Sequence, residues 1–299
     1  MFGIALAAIA GVLLSFADAG KKLLANTFSP EVVILLMFSF GVAVNLLFLS
    51  LKGLPAIEWG SVWLPTLLCA LVAAAGELLF LYGLRGTDLS IALPLMAFLP
   101  VFSSLLGYML FGEVPDVLGG FGAVTIIIGT YLLGINLPLH KNILQPFTKI
   151  ISDRACLFIL LSALIGAILF VGQRFGVRHS SPVSFFTLTL IVDWFLFLVL
   201  VIWNGRIWNG RIRPIGGVTP QLISTLCGTG ITWAVALTCL YASYNYTLAV
   251  YAGSALQVQT LLSITLGALI FKEERYLQRM SAGVVIVVGV LMISWAAAS

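Results

Sequence analysis

GYMLFGEVPDVLGGFGAVTIIIGTYLLG, residues 107–134, and GALIFKEERYLQRMSAGVVIVVGVLM, residues 267–292, decide the fold. Both carry the ordered pattern G-x3-F-x-E-x15-G, as Gly107, Phe111, Glu113 and Gly129 and again as Gly267, Phe271, Glu273 and Gly289. At this offset of 160, residues 87–135 align with 247–295 without a gap, and ten of 49 positions are identical. Scattered identity between apolar helices means little, but a shared order of Gly, Phe, Glu and Gly marks an internal duplication. Upstream, Ser29-Pro30 answers Ser181-Pro182 and Gly20 answers Gly172, now at offset 152. The extra eight residues of the second half fall where IWNGR stands twice in tandem, at 202–206 and 207–211.

The rest of the chain fits two copies of a membrane unit. Of 299 residues, 61% are hydrophobic and 9% charged, against about 25% charged in an ordinary soluble domain. A soluble chain of this composition has too little polar surface to cover itself, so the chain reads as a polytopic membrane protein. Stretches near 20 apolar residues, enough to cross the hydrocarbon core, lie at 2–24, 31–51, 61–83, 88–111, 115–135, 155–177, 183–203, 219–242, 247–271 and 276–297. The first has no basic start, so it reads as a membrane helix rather than a cleaved leader. The fold expected is all-α, with ten transmembrane helices as two five-helix repeats, 1–137 and 154–299, joined by 138–153. Five is odd, so the second copy enters the membrane upside down. Inverted repeats of this kind build secondary transporters whose sites lie near the midplane, where the repeats meet.

Two five-helix halves, each with a Gly-rich fourth helix ending in FGE or FKE and a Gly-spaced fifth helix, resemble the drug/metabolite transporter superfamily, and within it the EamA-like ten-helix branch. The resemblance covers 2–297. It implies a central cavity lined mainly by the first, third, fourth, sixth, eighth and ninth helices, and transport of amino acids, other small metabolites, nucleotide sugars or sugar phosphates. Two family motifs are missing. The ninth helix reads YAGSALQVQTLLS with no lysine before Lys272, unlike the Gly-Ala-Leu-Asn-Lys run of the nucleotide-sugar carriers. The adjacent Lys-Arg of the phosphate translocators is absent too. Both departures weigh against phosphorylated or nucleotide-linked substrates. The expected function is transport of amino acids or related small polar compounds, exported or exchanged by alternating access, with a nucleotide-sugar, sugar-phosphate or lipid-linked carrier as the alternative.

Ionisable groups at bilayer depth are costly, so each is a candidate site. Six qualify: Asp18, Lys21, Lys22, Glu77, Arg174 and Asp193. Asp18 and Lys22 are four apart, a spacing that lets them pair on one helix face. Lys22 and Arg174 correspond across the repeat at offset 152, a cation in each half suited to a carboxylate or phosphate, or simply marking two helix ends. Glu77, beside the small residues Ala73–Gly76, can take up a proton or a substrate amine, or pair structurally with Lys21, Lys22 or Arg174. Asp193, mid-span in TLIVDWFLF, is a second proton site or a hydrogen-bond acceptor. Pro94 and Pro100 kink the fourth helix. In the ninth, Gln257 and Gln259 are two apart, so at most one of them faces the cavity squarely. Trp233 suits a substrate wall, with Tyr251 a further aromatic candidate, while Tyr241, Tyr244 and Tyr246 read as an interfacial belt.

Assigning each Lys and Arg to its nearest loop puts 12 on one side and three on the other, which places both termini outside by the positive-inside rule; family members are often drawn with both termini in the cytoplasm. The partners expected are a small solute, protons for coupling and the lipid bilayer, in a multi-pass plasma-membrane protein of bacterial type. No cofactor, metal or nucleic acid is expected. Cys69, Cys156, Cys227 and Cys239 lack ligand spacing, and His140 and His179 lie outside or at the edges of spans and far apart in sequence, with no H-x-x-x-H or paired-Asp motif, so an enzyme is not expected.

Overall fold

A computed structural model describes residues 2–53, 56–112, 117–134, 152–203, 219–247 and 249–296, with Phe111, Arg174, Ala249 and Val250 described in their backbone only. The described residues form twelve helical segments: α1 Phe2–Ala25, α2 Pro30–Lys52, α3 Trp59–Gly86, α4 Leu89–Met96, α5 Leu99–Phe111, α6 Val117–Gly134, α7 Arg154–Val177, α8 Pro182–Trp203, α9 Pro220–Ser243, α10 Ala249–Leu256, α11 Val258–Phe271 and α12 Tyr276–Ala296. They make ten membrane passes, because α4–α5 and α10–α11 are each one pass interrupted midway. Nine passes are long and apolar enough to span by length and composition, and Val117–Leu133 is a shorter apolar helix.

Prolines start α2, α8 and α9, where a missing N–H costs nothing and the fixed φ suits a first turn. The break between α4 and α5 follows Pro94, and the chain tightens there: Ala97 N donates to Pro94 O at 3.1 Å and Phe98 N to Leu95 O at 3.2 Å. The break between α10 and α11 falls at Gln257, 160 residues after Ala97, with no proline near it. Interrupted helices in corresponding passes are the mark of a binding site between inverted repeats.

The halves interleave. The closest pairings join a helix of one half to a helix of the other: α3 with α7, α1 with α9, and α6 with α12. Under a two-fold that exchanges the halves, the α3–α7 pairing maps onto α9–α1, and α5–α7 onto α11–α1; both members of each couple occur. At the α6–α12 crossing the backbones touch. A Cβ added to Gly122 would lie 2.6 Å from Gly289 O, so nothing larger than hydrogen fits. The main apolar core gathers α1, α2, α8 and α9 around Met37, Phe38, Phe197 and Trp233. α1 sits at the centre because its buried face is built of small residues, Ala7, Ala10, Gly11 and Ala17 among them.

Candidate functional site

The centrality of α1 carries Asp18 and Lys21 into the interior, where both are buried. Lys21 Nζ lies 3.6 Å from Asp18 Oδ1 and 3.5 Å from Glu77 Oε2 on α3. It also stands over two rings, 5.2 Å from the centroid of Phe80 and 5.6 Å from that of Trp233, close enough for a cation–π contribution. Trp233 in turn stacks on Phe38 with centroids 5.4 Å apart. Across the bundle, Gln259 Nε2 at the start of α11 donates to Asp18 Oδ2 at 2.6 Å. One cation thus sits between two carboxylates, against an aromatic wall, with an amide from the second half completing the ring.

The members differ in access. The Asp18 and Lys21 side chains are sealed, whereas that of Glu77 keeps 27% of its surface exposed. Of the three charged groups, Glu77 is the most exposed. Asp193 on α8 is 3% exposed and close enough to feel the charge of Glu77. Its Oδ1 is buried with no hydrogen-bond partner among the described residues, a costly state for a carboxylate oxygen at bilayer depth. Nearby, Gln173 Nε2 donates to Tyr241 Oη at 2.7 Å, and Tyr241 stacks on Phe186 at 4.2 Å.

The structure therefore assembles Asp18, Lys21, Glu77, Trp233 and Gln259, while Asp193 is buried on α8 and Pro94 in α4. It does not make the Asp18–Lys22 pair. Lys21 takes Asp18, and Lys22, one residue round the helix, points instead to Glu273 at 2.9 Å. Gln257 accepts from Thr260 Oγ1 at 3.1 Å rather than joining the cluster. Tyr251 is 38% exposed on α10. Tyr241 is not a belt residue but packs inside. The Arg174 side chain lies outside the described residues. Phe38, Phe80 and Gln173 were not singled out by sequence, since buried aromatics and amides in apolar helices look alike there. A groove of about 540 Å³ along Val192, Phe195, Val199 and Trp203 of α8 is apolar and open to the exterior, as a lipid-facing surface is.

The model of the EamA-like transporter family matches residues 1–135 and again 153–295. Among curated proteins none matches at a significant level. A crystal structure described only as that of a protein has the same fold, with a TM-score of 0.64 at 15% identity over 97% of this chain and 95% of its own.

Proposed function

The chain belongs to the EamA-like transporter family, and from that premise we propose that it carries small polar metabolites, amino acids or close relatives, by export or exchange. The observation that carries this reading is Lys21, held between Asp18 and Glu77 beside Trp233 and Phe80. A zwitterion offers the same pair of charges. Its ammonium competes with Lys21 for the exposed Glu77, its carboxylate takes the Lys21 so released, and its apolar part meets the rings. Access alternates as the two inverted halves rock about the midplane. Protons couple through Glu77 or through Asp193. Nucleotide-linked and lipid-linked substrates suit the site less, because two carboxylates already share Lys21 and leave little cationic field for a phosphate.

The test is uptake by the purified protein in liposomes, preceded by a thermal-shift screen over amino acids, amines, nucleotide sugars and phosphates. An amphoteric solute should raise the melting temperature by mass action and be taken up. Glu77→Gln should remove uptake and its pH dependence together. A variant that transports like wild type at every pH would refute the role of Glu77, and stabilisation by nucleotide sugars alone would refute the substrate class.

A further inference from the structure

A second buried ionic assembly stands apart from the central cluster, at the end of the bundle where most loop cations lie. There the turn 272–275 meets the start of α4. The first N–H groups of any helix lack partners within it, and for α4 the partner comes from across the repeat. Glu273 Oε1 accepts from Leu89 N at 2.7 Å, while Oε2 accepts from Ser90 N at 3.0 Å and from the Ser90 hydroxyl. Lys22 Nζ donates to Oε1 at 2.9 Å, Arg279 stands 3.3 Å from Oε2, and Arg279 also reaches Asp88 at 2.7 Å. The Glu273 side chain is 3% exposed. One carboxylate thus ties α1, α4 and α12 to the end of α11.

The turn is bent to deliver it. Lys272 and Arg275 hold φ of 54° and 62°, a left-handed backbone that side-chain-bearing residues rarely adopt. Glu273 folds back onto Gly267, where an added Cβ would lie within contact distance of its carboxylate oxygen, so the fold-back needs glycine there. The repeat does not supply the same side chains to the other end. At offset 160, Asp88, Ser90 and Arg279 answer to Leu248, Val250 and Gly119; Glu113 answers Glu273, and Arg174 answers Lys22 at offset 152.

We infer that the Glu273 assembly is a one-sided latch, which holds the cation-rich end of the pathway shut and makes that closed state the resting state of the solute-free carrier. To open this end, Glu273 must leave two backbone N–H groups, a hydroxyl and two cations at once. At the equivalent positions the other end keeps a glutamate, one arginine and two backbone N–H groups, but has no serine hydroxyl, no second cation and no aspartate. Strain at Lys272 and Arg275 favours release of the turn once the ionic contacts are lost. This inference rests on the alternating-access reading above.

The test places one cysteine at Ala19, in a chain whose four native cysteines are replaced. Ala19 is buried on α1, one turn before Lys22, in a cluster with Leu89 and Leu93 of α4. Labelling by a membrane-impermeant maleimide is timed in vesicles of both orientations. With the latch intact labelling is slow from the cation-rich face. Glu273→Gln and Arg279→Gln should raise it at least tenfold from that face alone, and Ser90→Ala less. Monodisperse elution confirms that each variant folds. Unchanged labelling in all three folded variants overturns the latch, as does an equal rise from both faces. The readout needs no solute, so a failure of wild-type uptake bears on the transport reading alone.

Discussion

Lys21 and Lys22 are chain neighbours that serve different assemblies, because one residue turns a helix by about 100°. Sequence spacing allows Asp18 to pair with either, at three or four residues; the choice is made by what each faces, Glu77 for Lys21 and Glu273 for Lys22. Removing Lys21 therefore leaves two carboxylates without their cation. Lys21→Met should cost about 3–5 kcal/mol, the usual penalty for breaking a buried pair from one side. Asp18→Asn combined with Lys21→Met should cost clearly less than the sum of the single changes, with a coupling of about 0.5–3 kcal/mol. Thermal unfolding in detergent measures both, and strict additivity would contradict the pairing. Glu273 makes a prediction of opposite kind. Burial works against its charge, but hydrogen bonds from Ser90 and Lys22 outweigh it and hold the carboxyl below the ordinary carboxylate range. A carboxyl depressed in the folded state adds stability above its unfolded pKa and loses it as pH falls through the folded one. The melting temperature should drop as pH falls below about 4, and Glu273→Gln should flatten that drop. A Gln variant with the wild-type slope would show that other carboxylates govern acid stability.

The two interrupted passes show what sequence does and does not reveal about an element. Pro94 makes the first break legible, because proline removes an N–H and clashes with the preceding turn. At the second, nothing local gives warning: Gln257 and Thr260 are ordinary residues, and the tightened turn, with Gln257 N on Ser254 O at 3.1 Å and Thr260 N on Gln257 O at 3.0 Å, emerges only in the fold. The repeat was the one cue, since Gln257 occupies the place of Ala97. Glycines were legible as spacing but not by role. Gly122 meets the backbone of Gly289, whereas Gly120, two residues away, has open space where a Cβ would go. Gly122→Val should therefore cost about 1–3 kcal/mol or more by overpacking, and Gly120→Val should stay within about 0.5 kcal/mol, as exposed changes do. Equal melting temperatures for the two variants would mean that α6 and α12 do not cross there.

At the scale of the molecule, the duplication was readable from Gly, Phe and Glu spacing and the number of passes from hydropathy, but the interleaving was not. Periodicity reports which residues turn inward, never which helix they meet. In the fold, α1 packs on α9 and α3 on α7, so each half covers the apolar and ionic faces of the other. Lys21 and Glu77 come from the first half, Trp233 and Gln259 from the second. Neither half is then a domain that can hold its own core, despite five spans apiece. This leads to a test by division. Residues 1–137 or 154–299 expressed alone should be degraded or aggregated, since buried carboxylates and a central small-residue helix would face lipid without partners. Expressed together as separate chains, they should copurify and regain uptake, because the contacts that define the site lie between the halves and not in the connection 138–153. Recovery should be lost when either partner carries Gly122→Val or Gly289→Val, which block the α6–α12 crossing from opposite sides. A first half that is stable, monomeric and solute-binding by itself would show that the site does not need the interface.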